Sequence, residues 1–262
     1  MTEWDAPEYA RVSELQKAMA EEALSSLDLK GTERVLDLGC GNGKITAEIA
    51  ARLPVGSIVG VDSSADMIGF ASSRFNPALR PNLRFEAADA RRLPFREEFD
   101  LVVSFNALHW VPEQDEALRS ICSAMKSSGL AQLRLVPKGK RKSLENVIEE
   151  TRLSSRWVRY FQGFHDPYLH LTAEEYAALA ERNGLHVRRI HTEDKAWDFK
   201  SRSAFLAFGR VTFIEWTQFI PEAEKRAFAI DVLDRYRIEV SNQPGEKNTF
   251  KFYQMDVTLS PK

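Results

Sequence analysis

The stretch Val35-Leu-Asp-Leu-Gly-Cys-Gly-Asn-Gly43 decides the fold. Its first four residues read as a buried strand of a parallel sheet, and Lys44-Ile-Thr-Ala-Glu-Ile-Ala-Ala-Arg52 reads as the helix that follows. Between them Gly39, Gly41 and Gly43 alternate in a turn that lets backbone pass close to a ligand, where a Cβ would collide. Strand, glycine turn and helix N-terminus together predict a ligand site at the carboxyl edge of a sheet. Two familiar glycine loops do not fit. The dinucleotide fingerprint needs glycine at 44, where the chain has Lys44; the phosphate loop needs glycine at 38 and Ser or Thr at 45, where it has Leu38 and Ile45.

Three further strand ends follow in order. Ser57-Ile-Val-Gly-Val-Asp62 closes on a carboxylate that can accept hydrogen bonds from both hydroxyls of a ribose. Asn82-Leu-Arg-Phe-Glu-Ala-Ala-Asp89-Ala90 is another short strand tipped by Asp. Phe99-Asp-Leu-Val-Val-Ser-Phe-Asn106 is a fourth, running into Ala-Leu-His109-Trp110.

The acidic-x-Gly-x-Gly-x-Gly segment from Asp37 to Gly43, with these strand tips behind it, resembles the class I S-adenosylmethionine-dependent methyltransferases. The resemblance implies an α/β, Rossmann-like fold: a seven-stranded, mostly parallel sheet with helices on both faces. It implies S-adenosyl-L-methionine as cofactor, with Gly39, Cys40, Gly41, Gly43 and Ser63 around it and Asp62 at the ribose; a cap for the helix at 64 is the other reading of Asp62, a role Ser63 could also fill. Asp89 and Ala90 fall to the adenine, Met67 to the adenine face or to plain core, and the Asn106 backbone to the sulfonium. Asp37 either touches the amino-acid end of the cofactor or organises the loop. Trp4-Asp5 with Tyr9, Leu108-His-Trp-Val-Pro112, Phe213-Ile-Glu-Trp216 and Leu233-Asp-Arg-Tyr236 are similar to the trans-aconitate and juvenile-hormone-acid methyltransferase group, which esterifies carboxylates. There the N-terminal Trp and Tyr lie near the cofactor, so Trp4 and Tyr9 join the cofactor contacts.

Composition narrows the partners. A chain of 262 residues with net charge −2 has no basic field to attract nucleic acid, and the base-methylating motif is absent after the fourth strand. Two cysteines offer no disulfide framework, no apolar run approaches a membrane span, and the acidic start lacks a signal core. A cytoplasmic protein acting on a small molecule is expected; oligomeric state is not legible. Nothing has metal-ligand spacing.

The alternation of strands (34–38, 57–61, 83–87, 99–104, 129–136) and helices (44–52, 64–74, 114–125) predicts a parallel sheet, preceded by an amphipathic helix over 8–27. One domain is expected over 1–262, with 1–137 as the cofactor half. Residues 143–170 read as aromatic and irregular. Thr172-Ala-Glu-Glu175 is a capping box for a helix closing at Asn183-Gly184, and a strand follows over 185–192. Two helices are expected over 201–240, the second entered through Pro221, and a last strand over 248–259. The insertions 138–170 and 200–247 are expected to form a helical lid and to decide the substrate.

A carboxylate acceptor is already ionised at neutral pH and needs no base. A phenol or carbon acid must lose a proton, and His109 is the catalytic candidate for taking it. Trp110, Trp157 and His165 are the substrate candidates; Trp157 also reads as lid core with Phe161, Phe164, Phe213 and Trp216. For an acid, Arg134, Arg156, Arg159 and Arg210 are the available cations. C-methylation, or cofactor binding without transfer, are the alternative functions.

Overall fold

The computed structural model describes residues 14–262. The expected contacts Trp4 and Tyr9 lie outside the described residues. Helix α1 (Glu14–Ser25) leads into β1 (Arg34–Leu38), α2 (Lys44–Ala50), β2 (Ser57–Asp62), α3 (Ala65–Arg74), β3 (Leu83–Ala87) and β4 (Phe99–Phe105). Then come α4 (Gln114–Ala124), β5 (Met125–Leu135), α5 (Leu144–Arg152), α6 (Ala173–Arg182) and β6 (Leu185–Asp198). Last are α7 (Arg202–Thr212), the single turn α8 (Ile214–Thr217), α9 (Glu222–Glu239) and β7 (Thr249–Pro261).

The strands form one sheet in the order β3-β2-β1-β4-β5-β7-β6. β1 to β5 pair in parallel, and β7 runs antiparallel to both β5 and β6. The expected mostly parallel, seven-stranded α/β sheet is therefore present. The strand order reverses between β1 and β4, where loops leaving β1 and β4 diverge and a crevice opens at the carboxyl ends.

Alternation along β1 sorts its side chains. Leu36 and Leu38 join one core with Val102, Leu118, Ile121 and Tyr176; Val35 joins the other with Ile49, Ile58, Val103 and Leu24. The two insertions build a third core of their own. Trp157, Phe161, Phe205, Phe213, Trp216 and Phe228 pack there, closed by Phe250 and Phe252 of β7.

Three elements differ from expectation. Residues 143–170 contain the helix α5, entered by a capping box: Asn146 N–H donates to Ser143 Oγ at 3.2 Å and Ser143 N–H to Asn146 Oδ1 at 3.1 Å. β6 runs six residues beyond the expected end at 192, because β7 pairs with it as far as Asp198↔Thr249. β5 starts at Met125 rather than 129, with an irregularity in its pairing to β4 between Phe99 and Leu101. The Thr172–Glu175 box and the helix entered through Pro221 are as expected.

Candidate active site

A cleft of about 450 Å³ opens at the carboxyl ends of β1, β2 and β4. Its walls include Gly39, Gly41, Asp62, Ser63, Met67, Asp89, Ala90, Asn106 and Trp110, brought together from four separate stretches of sequence. This is the size class of small-molecule sites.

The glycine turn is tied across to β2, since the N–H groups of Gly39 and Cys40 both donate to the Val61 carbonyl, at 2.8 and 2.9 Å. The three glycines answer three different demands. All have positive φ: 76° at Gly39, 52° at Gly41 and 74° at Gly43. A Cβ on Gly39 would lie 2.2 Å from the Ala107 Cβ, so here the close approach is to the loop after β4. A Cβ on Gly43 would meet Phe85 at 2.7 Å and Ala71 at 2.8 Å, and Gly43 lies off the cleft wall. Only beside Gly41 is there open space where the Cβ would be, and that space is the cleft.

Asp37 does not reach the cleft. It shares with Val35 the strand face that points at α2, is 3% exposed, and accepts from Thr46 Oγ1 at 2.7 Å. Burial, with the nearby Asp62 charge adding to it, pushes its pKa up to about 7. Cys40 is likewise buried, off the wall, with its thiol pKa pushed up by burial.

Asp62, at the tip of β2, lines the cleft. Its carboxylate accepts from Gly41 N–H at 2.9 Å and from Ser64 N–H at 2.9 Å, fixing it against both the turn and the start of α3. Burial raises its pKa against those bonds. The α3 cap is Ser64, which accepts from Met67 N–H, and not Ser63, which stays on the wall.

Asp89 lines the cleft but is engaged by its neighbour. Arg91 approaches it through Nε at 3.0 Å to both oxygens and through Nη2 at 2.7 Å, and its backbone N–H adds a bond at 2.9 Å. These bonds hold the carboxyl below the usual carboxylate range. Asn106 takes the left-handed conformation, with φ 58°, at the end of β4; its N–H donates to the Arg134 carbonyl at 2.9 Å. Its buried Oδ1 has no protein partner.

The structure corrects three expectations. His109 is buried, off the cleft wall, and packed beside Trp110 and Tyr168. Its Nδ1 accepts from Val136 N–H at 3.4 Å, and burial pushes its pKa down to about 3. An imidazole so placed neither faces the cleft nor takes a proton readily near neutrality, so the geometry does not make it the base. Trp157 lies in the insertion core, bonded through Nε1 to Asp231 at 2.9 Å, and His165 is exposed; neither lines the cleft. Both belong to the first insertion, whose aromatic content marks core as readily as pocket.

Of the arginines proposed for an acid, none lines the cleft. Arg134 is 2% exposed and bonded to Asp256, Arg156 pairs with Asp231, and Arg159 lies over Tyr160. Sequence reasoning missed Arg91, Glu113, Pro167 and Glu215, which do line it. Arg91 and Glu113 are twenty-two positions apart, with no local pattern to join them.

No group of His, Cys, Asp and Glu able to hold a metal occurs among the described residues, and no helix there is long and apolar enough to cross a membrane.

With this geometry in hand, the similarities to known proteins are specific. Residues 35–129, the segment from β1 into β5, match the family described as a methyltransferase domain. The trans-aconitate 2-methyltransferase of Deinococcus radiodurans is 28% identical over 261 residues, covering 95% of each chain. The YcgJ protein of Bacillus subtilis shares the fold with a TM-score of 0.67, at 17% identity over 94% of this chain and 99% of that one. A Haemonchus contortus phosphoethanolamine N-methyltransferase, solved with S-adenosylhomocysteine, has a TM-score of 0.61 at 16% identity over 94% of this chain and 53% of that one. Fold, cleft and these similarities together support a class I S-adenosylmethionine-dependent methyltransferase, the family match itself covering residues 35–129. Within that class it resembles the trans-aconitate methyltransferase group along nearly its whole length.

Proposed function

We propose that this enzyme transfers a methyl group to an oxygen, carboxylate or hydroxyl, of a small organic acceptor bound in the cleft at the β1–β4 divide. One observation carries the reading. The glycine turn, the Asp62 tip, the turn after β3 and the loop after β4 converge on a single cavity, with free space beside Gly41. The residues fit S-adenosylmethionine: Asp62 is fixed by two backbone N–H groups and still reaches the wall, where ribose hydroxyls can donate to it. Met67 supplies an apolar surface, and Asn106 brings the chain at the end of β4 to the wall.

When bound, the cofactor supplies a methyl group already activated by positive sulfur. The protein's task is alignment and exclusion of water. Trp110 lines the cleft and packs edge-on against Tyr168 and Trp216, at 5.0 and 6.0 Å, so it joins the wall to the insertion core. Pro167 and Glu215 bring both insertions to the same cleft, which supports their role as a lid.

The trans-aconitate relatives favour a carboxylate, and so does the retreat of His109, because an ionised carboxylate needs no base. The wall is poor in cations: Arg91 alone among its described residues, already bonded to Asp89 and Glu113. That supports an acceptor with one carboxylate or hydroxyl over a tricarboxylate. The test is release of S-adenosylhomocysteine from a panel of monocarboxylic acids, trans-aconitate, phenols and amines. Turnover with monoacids or hydroxyl compounds is expected. Turnover confined to amines overturns oxygen methylation, and absence of S-adenosylhomocysteine binding by calorimetry overturns the site itself.

A further inference from the structure

The sheet ends at β6, and among the described residues no strand pairs with its outer edge. From Arg188 to Asp194 every residue of that strand except Ile190 is exposed. An edge strand offers a row of backbone N–H and C=O groups to any chain that can lie beside it. Charge turns away strands of unrelated sequence, so what this edge admits depends on what its charges match.

They match themselves. Two copies related by a two-fold axis perpendicular to the sheet lie antiparallel, edge to edge, and each residue keeps its face. Opposite residues must share a face, and faces alternate along a strand, so the axis passes through a residue and not between two. With the axis at His191, Arg189 falls opposite Glu193 of the second copy, and Glu193 falls opposite its Arg189. Ile190 then meets Thr192 on the other face. Neighbouring positions of the axis lose this match. At Ile190 neither charge has an opposite; at Thr192, Arg189 faces Lys195; at Arg189 and at Glu193 a charge faces its own copy. Arg189 is exposed and enters no ion pair among the described residues. Glu193 lies 3.6 Å from Lys195, which Glu22 already holds. From Arg189 onward β6 pairs with β7 without interruption, so 189–193 is regular backbone able to carry a second ladder. The irregularity between Val187 and Arg189 ends the run and keeps it short.

We propose that β6 pairs with β6 of a second copy about His191, joining two seven-stranded sheets through a short antiparallel ladder and two reciprocal Arg189–Glu193 ion pairs. The interface is isologous and small, which makes the dimer a reversible one with micromolar affinity. No residue of β6 lines the cleft, so both clefts stay open in the pair.

Sedimentation equilibrium of the full chain, up to about 200 μM, is expected to show a monomer–dimer equilibrium that salt weakens. Arg189→Glu sets acid against Glu193 at both ends of the ladder, and Glu193→Arg sets base against Arg189. Each variant alone should dimerise at least about tenfold more weakly than the wild type. In an equimolar mixture one variant supplies the acidic positions and the other the basic ones. Mixed dimers should therefore form within about threefold of wild-type affinity. A wild type that stays monomeric throughout overturns the proposal, and needs no variant to fold. So does a dimer that both reversals leave intact, and so does a mixture that associates no better than its components.

Discussion

Asp37 and Asp62 end neighbouring parallel strands, yet only one carboxylate reaches the cleft. Strand alternation sends Asp37 with Val35 toward α2 and Thr46, while Asp62, the last residue of its strand, is turned outward by bonds from Gly41 and Ser64. Both acidic tips were legible in the sequence; which of them faced the ligand was not, because that depends on one residue of register. Asp62→Ala removes the fixed acceptor and should weaken S-adenosylhomocysteine binding at least about tenfold, read by calorimetry. Asp37 predicts something different, together with His109. Between the ordinary 3.8 and about 7 the folded Asp37 carboxyl keeps a proton that the unfolded one has shed, so its contribution to stability falls as pH rises. Between about 3 and the ordinary 6.5 the unfolded His109 imidazole holds a proton that the buried one refuses, so its contribution rises with pH. The two slopes, each about 1.4 kcal/mol per pH unit, oppose one another over the shared window from about pH 4 to 6.5. Asp37→Asn should therefore expose a stability that climbs with pH there, and His109→Gln one that declines, measured by urea unfolding at several pH values. Parallel behaviour of the two variants would contradict the burial of either group.

Local signals were read well where chain neighbours supply both partners, and poorly where a distant segment does. The Thr172–Glu175 box uses Glu at the third helical position and stood out; α5 uses the same geometry with Asn146 in that place, and passed unnoticed. Its hydrogen bonds are equivalent in kind, so Ser143→Ala should cost about 1 kcal/mol of stability. Thermal unfolding should register the loss while S-adenosylhomocysteine affinity stays level, since α5 touches the insertion core and not the cleft wall. The outer half of β6 shows the complementary failure. From Glu193 to Asp198 its residues are mostly charged and exposed, with no apolar stripe to announce a strand, and the ladder to β7 specifies it instead. Charge on such an edge also discourages further strands from adding to it.

At the scale of the whole molecule, the sheet and the insertions divide the labour unequally. Nearly all residues lining the cleft come from the segment 38–113, the part whose motifs could be read from sequence, and the insertions contribute Pro167 and Glu215. The aromatic residues that looked like a pocket are occupied in holding the insertions together: Trp157 packs on Phe228, Phe161 on Phe164, and Trp216 on Trp110. Aromatic content could not reveal this, because a ring buried in a core and a ring lining a pocket have the same sequence signature. On the proposed reading the insertions offer the acceptor few side chains, and Glu215, seated on α8 between the insertion core and the cleft, is the charged one among them. Glu215→Gln keeps the shape and removes the charge. It should shift the KM for the acceptor about fivefold or more while leaving S-adenosylhomocysteine affinity within about twofold, because a side chain that faces one ligand couples weakly to the other. Equal loss for both ligands would place the insertion against the cofactor instead, and would make the lid part of the nucleoside site rather than the selector of the acceptor.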